Sequence, residues 1–236
     1  MIPILMIPVL NRQDLMQRLI LSIDHPVQIL LIVNNGELDL KFDRPDVIER
    51  VVIFTPPLSP IGYGGAINYA ITQTPQHRWW MWASNDVEFH PGYLDTVVRQ
   101  MDEATGPRII TGGFTWAAAN AELIEQVGLV DDWSFFPIYF DDNDYYYRCQ
   151  LAKVEWIEDG EMGTTHGDER DHGSVTIRSD QAVNAANNRS YVLNAQAYVA
   201  KWGGPPGNER FTTPWNEGHP LWVTRPDMAG RTRRRW

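Results

Sequence analysis

Short apolar runs alternate with helical stretches along the first half of this chain, and that rhythm restricts the fold more than any other feature. Ile2 to Val9, Val27 to Val33, Val47 to Phe54 and Trp79 to Ala83 each read as a buried strand. Between them, Asp14 is placed to cap a helix with Leu15, Leu19 and Ile23 on one face, and Gly62 to Gln73 reads as a helix opened by glycines. Strands alternating with helices in this way predict βαβ units and a mostly parallel sheet flanked by helices. Ligands bind such sheets beyond the carboxyl ends of the strands. Asn11-Arg12, Asn34-Asn35-Gly36 and Ser84-Asn85-Asp86 occupy those ends and are expected to share one crevice.

Farther along, Pro91 to Ala104, Asn120 to Val127, Asp144 to Ala152 and a segment from Asp180 to about Lys201 read as helices. Arg108 to Gly113 and Val154 to Ile157 read as strands. Beyond Lys201 the chain is rich in glycine, proline and tryptophan, and the arginine-rich end at 231–236 reads as a solvated tail.

Composition narrows the function. Of 236 residues, 43% are hydrophobic, enough for a sizeable core. A net charge of -10 repels phosphate backbones and argues against nucleic acid as a partner. Any smaller anionic ligand would require a local neutralising device such as a metal. Cys149 is the single cysteine, which excludes an intrachain disulfide and a thiolate zinc cluster. The apolar start lacks a preceding basic residue and is interrupted by Pro3 and Pro8, so it reads as a strand rather than a signal peptide. With no transmembrane segment, a soluble, cytoplasmic protein is expected, and oligomerisation is left open. Ten tryptophans exceed what the core requires, and some are expected to line a groove.

Three clusters carry candidate chemistry. Asp86, just past a buried strand, is placed to hold a divalent ion, although local sequence alone favours a turn cap before Pro91. Asp141, Asp142 and Asp144 lie at a helix start, where the helix dipole accounts for one or two acids. Three acids framed by aromatics exceed capping needs and point to a general base. His166 and His172, among Asp168, Glu169 and Asp171, offer a metal ligand, a structural histidine being the plain alternative.

These segments, in this order, resemble an inverting family 2 glycosyltransferase of the GT-A fold, the group that includes rhamnosyl- and galactofuranosyltransferases. The resemblance covers residues 1 to about 175. It rests on Ile7-Pro8-Val9-Leu10-Asn11-Arg12, Ile32-Val33-Asn34-Asn35-Gly36, Gly62-Tyr63-Gly64-Gly65-Ala66-Ile67-Asn68, Ser84-Asn85-Asp86-Val87, Glu122 to Leu129 followed by Phe135-Phe136, and Asp141-Asp142-Asn143-Asp144-Tyr145 with Arg148. It implies a Rossmann-like nucleotide-diphospho-sugar transferase with a mixed, mostly parallel sheet. Pro8, Asn11, Asn35 and Asn68 would then belong to the nucleotide site, with Ser84 and Asn85 facing the ribose. Asp86 and His166 would hold Mn²⁺ or Mg²⁺ against the diphosphate of the sugar donor. Asp142 would be the general base, Asp141 would hold acceptor hydroxyls, and Trp116 would form an aromatic wall. Ser84 and Asn85 stand where many members carry an acid, which leaves the ion with fewer carboxylates.

The expected organisation is a catalytic domain over 1–178 and a helical or irregular appendage over 179–236 packed against it. The acceptor remains open among a glycan, a lipid-linked sugar and a protein side chain. Two rival functions share the fold: a nucleotidyltransferase, for which the glycine- and lysine-rich phosphate loop is missing, and a non-catalytic sugar-binding module.

Overall fold

The computed structural model describes residues 1–159, 163–168, 171–172 and 174–224, with 168, 171 and 172 described by backbone alone. In chain order the strands are β1 (Ile2–Val9), β2 (Val27–Asn34), β3 (Ile48–Phe54), β4 (Trp79–Ala83), β5 (Val87–Phe89), β6 (Arg108–Gly112), β7 (Trp116–Asn120), β8 (Glu155–Glu158), β9 (Thr164–Asp168) and β10 (Asp171–His172). The helices are α1 (Gln13–Leu21), α2 (Gly62–Gln73), α3 (Tyr93–Asp102), α4 (Ala121–Val127), α5 (Asp141–Ala152), α6 (Val175–Arg178) and α7 (Gln181–Trp202).

A seven-stranded sheet in the order β3-β2-β1-β4-β7-β6-β8 forms the centre. Its strands are parallel except β7, which runs against both β4 and β6. Apolar residues on both faces explain why the strand sequences read as unbroken hydrophobic runs. Leu5, Ile7, Leu30 and Ile32 pack with Met16 and Leu19 of α1 and with Val97 and Met101 of α3. Ile4, Met6, Leu31 and Val33 pack on the other face with Ile67 and Ile71 of α2, Leu123 of α4, and Tyr145 and Cys149 of α5. Five of the ten tryptophans, Trp79, Trp80, Trp82, Trp116 and Trp202, are buried in the interior, so bulk rather than sugar stacking explains half of them.

The strand β7 is absent from the sequence expectation. Gly113 and Phe114 both adopt positive φ, 56° and 62°, and turn the chain back immediately after β6. Ala117, Ala118 and Ala119 then fill the sheet interior. Asp14 also differs from expectation. Arg12, at φ 53°, occupies the cap position of α1, while Asp14 lies in the first turn and pairs with Arg12 at 2.7 Å.

Helix α7 is held against the preceding part of the chain by buried charge. Its Lys201 ammonium meets Asp131 Oδ2 at 2.9 Å and Asp144 Oδ1 at 2.6 Å, and Asp144 Oδ2 accepts from Arg148 Nε at 2.8 Å. Trp202 Nε1 donates to Asp144 Oδ1 at 2.8 Å. Burial raises the pKa of Asp131, yet the Lys201 charge and the hydrogen bonds from Ser134 and Lys201 together outweigh that penalty and the net shift is downward. Phe135, Phe140, Tyr198 and Trp202 form an aromatic cluster around these ions. Among the described residues, no helix is long and apolar enough to cross a membrane.

Candidate active site

The carboxyl ends of β1, β2 and β4 converge on one cavity of about 100 Å³. Pro8 and Leu10 follow from β1, Asn35 from β2, and Ser84, Asn85 and Asp86 from β4. Pro60, Gly62 and Tyr63 supply the wall on the α2 side. Gly62 has φ 78°, and a Cβ there would strike the carbonyl of Pro137, so only glycine lets the start of α2 lie against this loop. Asn35 fixes the same wall, its Oδ1 accepting from Ile61 N at 3.1 Å. Asn11 is tied in through its carbonyl, which accepts from Asn85 Nδ2 at 3.0 Å, while its own Oδ1 is buried without a hydrogen-bond partner.

A second small sheet brings His166 to Asp86. Strand β9 pairs antiparallel with β5 so that His166 lies opposite Val87. Gly167 N donates to the Asp86 carbonyl at 2.9 Å, and the Arg18 guanidinium clasps the carbonyls of Asp86 and Gly167. The result is an approach of 3.4 Å between His166 Nε2 and Asp86 Oδ1, with the Asp86 side chain almost wholly buried. One carboxylate and one imidazole make a donor set suited to Mn²⁺ or Mg²⁺, with phosphate oxygens and water completing the shell. Among the described residues, no third histidine, cysteine or acid joins them. The side chain of His172 lies outside the described residues.

The α5 acids divide by role. Asp144 is fully buried and committed to Arg148, Lys201 and Trp202, which makes it structural. Asp141 and Asp142 stand in the first turn of α5, where the helix dipole favours their ionised forms. Burial outweighs the dipole. The Asp142 carboxyl is pushed up by desolvation, against backbone hydrogen bonds such as the 2.8 Å one from Asn143 N. Asp141, 2% exposed, is pushed well above the usual carboxylate range by burial and then by the charge on Asp142, and its Oδ2 has no hydrogen-bond partner. Tyr63 lies within the electrostatic reach of both sets of acids. Its hydroxyl lies 2.9 Å from the Phe114 carbonyl and 3.1 Å from that of Thr115, and feels the charges of Asp141, Asp86 and Asp142.

The raised pKa of Asp141 sets the sign of a stability effect. The folded state keeps a proton that the unfolded chain releases, so this contribution is fully present below the unfolded value of about 3.9. It is lost as pH rises through the folded value. Asp141→Asn is therefore expected to stabilise the fold at neutral pH by about 1–3 kcal/mol and to have little effect near pH 3.5. Melting curves across this pH range check it; an unchanged melting temperature at pH 7 would contradict the burial argument.

Two sequence expectations are corrected. Trp116 forms no wall of a cleft. As a residue of β7 it is fully buried, with its ring edge-on to Phe89 and Tyr93 at 6.3 and 5.5 Å. Asn68 does not reach the cavity. Its amide holds the buried loop at Val130 instead, donating to Val130 O at 2.8 Å and accepting from Val130 N at 3.0 Å. The sequence reading also missed residues of the cavity. Tyr63 stood in the glycine-rich helix start it had singled out, whereas Thr176 and Asn187 reach the cavity from the C-terminal segment with no local signature. Thr176 Oγ1 donates to Asn85 Oδ1 at 2.7 Å, and Thr176 N approaches Asp86 Oδ2 at 3.4 Å.

The chain matches no protein-family model, and no curated protein matches it. Solved structures do match. The mannosyltransferase PcManGT from Pyrobaculum calidifontis, solved in complex with GDP-Man and Mn²⁺, superposes with a TM-score of 0.50 over 82% of this chain and 73% of its own, at 13% identity. The fold is GT-A. A glycosyltransferase involved in the glycosylation of the major capsid of PBCV-1 overlaps more loosely, with a TM-score of 0.39 and 10% identity over 68% of this chain and 83% of its own. In the GT-A frame, the cavity at the ends of β1, β2 and β4 lies where an open α/β sheet receives its ligand.

Proposed function

We propose that this chain is an inverting glycosyltransferase that moves a sugar from a nucleoside-diphosphate donor to an acceptor hydroxyl, within family 2 and near its rhamnosyl- and galactofuranosyltransferases. Residues 1–178 form its catalytic domain and 179–236 an appendage packed on it. What supports this reading is the meeting of His166 at 3.4 Å with Asp86, which lines the cavity at the strand ends, and the placing of Asp141 and Asp142 near enough for their charges to act on Tyr63 of the same cavity.

In this reading Pro8 and Asn35, which line the cavity, and Asn11, which does not line it but is tied to Asn85 through its carbonyl, surround the base, and Ser84 and Asn85 face the ribose. Asp86 and His166 would hold a divalent ion. Such an ion supplies Lewis-acid relief of the charge that develops on the leaving diphosphate. The chain's own residues handle the acceptor. Asp142, oriented by the Asn143 amide on its Oδ1, takes the proton from the acceptor hydroxyl. Burial makes this carboxylate a stronger base than a solvated one, provided the pH keeps it ionised. Asp141, beside Asp142 in the first turn of α5, is assigned to holding the acceptor hydroxyls. As Asp142 takes that proton, the acceptor oxygen bonds to C1 from the face opposite the diphosphate, the C1–O bond to the diphosphate breaks, nucleoside diphosphate leaves with the bonding pair, and the anomeric carbon is inverted.

The direct test is product analysis with nucleotide-sugars and Mn²⁺. Release of nucleoside diphosphate supports the reading. Release of pyrophosphate identifies a nucleotidyltransferase, and inertness with every donor leaves a sugar-binding module. His166→Ala is expected to raise the Mn²⁺ concentration for half-maximal activity by at least about tenfold, since losing a direct ligand should cost no less than losing a residue behind one. An unchanged metal response would remove His166 from the site.

A further inference from the structure

Asp142 and Asn143 form a ridge between two grooves, and neither residue lines the cavity at the strand ends. On one side, Tyr139, Phe140, Tyr191, Val199 and Pro205 line a groove of about 300 Å³. On the other, Phe114, Tyr146, Trp156 and Glu158 line one of about 270 Å³. A ligand that fills both must pass directly in front of Asp142. We propose that the acceptor is an oligosaccharide chain that lies across this ridge, with sugars in both grooves and the reacting hydroxyl at Asp142. The proposal rests on the glycosyl-transfer reading above and names the acceptor class for that site.

The walls carry the chemistry that a sugar chain needs. Tyr191 is 49% exposed and Tyr146 is 41% exposed, so each offers a ring to the C–H face of a pyranose. Both rings are braced. Tyr191 lies 5.4 Å from Tyr139 and 5.1 Å from Phe140, while Tyr146 stands edge-on to Trp156 at 4.8 Å and Trp156 lies parallel to Phe114. Rings already held in place lose little freedom when a ligand stacks on them. Polar groups stand beside the rings. Glu158 accepts from Gly113 N at 2.7 Å and Trp156 Nε1 at 3.2 Å, which leaves lone pairs on both oxygens for hydroxyl donors.

The same features disfavour other occupants. A hydrocarbon chain gains nothing from a trough broken by Asp142 and flanked by Glu158. An anionic polymer is repelled by both acids and by the net charge of -10. A neutral polyol with apolar ring faces satisfies the rings and the acids together.

The test is ligand-observed NMR on the full chain with Mn²⁺ and nucleoside diphosphate. The probes are gluco-, manno-, galacto- and rhamno-oligosaccharides of one to six units, a polyprenyl-phosphate-linked monosaccharide in micelles, and a serine/threonine peptide. Affinity is expected to rise with saccharide length for at least one series. Trp156→Ala and Tyr191→Ala are each expected to weaken the longest chain by about fivefold to tenfold. Tyr191→Ala, at a half-exposed position, keeps the test open if loss of Trp156 disturbs folding. Length-independent affinity, no saccharide binding, exclusive binding of the lipid-linked sugar or the peptide, or insensitivity to Tyr191→Ala would each overturn the proposal. If nucleotide-sugars still raise the melting temperature, only the acceptor assignment falls; if none does, the transferase reading falls with it.

Discussion

Asp142→Asn is expected to leave nucleotide-sugar binding intact and to reduce sugar transfer by about 10²- to 10⁴-fold. The asparagine keeps the size of the side chain and its bond from Asn143 N, so the start of α5 is preserved. Asp142 does not line the cavity assigned to the donor, so donor affinity has no reason to change. What disappears is the group that removes the acceptor proton. The pH profile gives a second readout. Because burial raises the Asp142 pKa, the wild-type rate should fall, as pH decreases, at a value above the ordinary carboxylate figure of about 4. The residual activity of the asparagine variant should lack that acidic limb. Wild-type turnover in the variant would remove Asp142 from the chemistry, whatever the donor proves to be.

The largest stability effect is expected from Lys201→Met, a loss of about 3–5 kcal/mol. Lys201 is one of two cations buried with two carboxylates, Asp131 and Asp144, in the interior between α5 and α7. Methionine fills much the same volume but leaves two acids to share Arg148, whose Nη1 is already turned to the carbonyls of Val127 and Leu129. An uncompensated charge in a low-dielectric setting is the costly outcome, and a deleted contact is the smaller part. For a chain of this length the loss corresponds to a fall in melting temperature of very roughly 6–20 °C. Chemical denaturation checks the free energy directly. A change below about 1 kcal/mol would show that the cluster is not balanced as described.

The legible part of the fold was the part written in local pattern. The runs at Ile2–Val9 and Val27–Asn34 are apolar on both faces because helices cover both faces, and that signal needs no long-range information. The helix at Gly62–Gln73 was marked by its glycines. Asn35, Ser84, Asn85 and Asp86 were placed correctly at strand ends because topology alone directs those ends to one crevice. Strand β7 was hidden because Trp116-Ala-Ala-Ala-Asn120 has neither alternation nor β-branched residues; tertiary pairing with β4 and β6, rather than local preference, makes it a strand. Trp116 was misplaced for the same reason. The role of Asp144 was illegible because its partners, Lys201 and Trp202, lie on a helix nearly sixty residues away. Thr176 meets Asn85 only through such folding, so no motif announced it.

The account turns on whether the crevice holds a sugar diphosphate through an ion at Asp86. The decisive measurement is the melting temperature with UDP-, GDP- and dTDP-sugars, with and without Mn²⁺, for wild type and Asp86→Asn. One nucleotide class should stabilise the wild type by about 2.7 kcal/mol at a hundredfold excess over its Kd, only when Mn²⁺ is present, and the asparagine variant should lose that gain. Absence of any nucleotide effect, or an equal metal-dependent effect in both proteins, would contradict it.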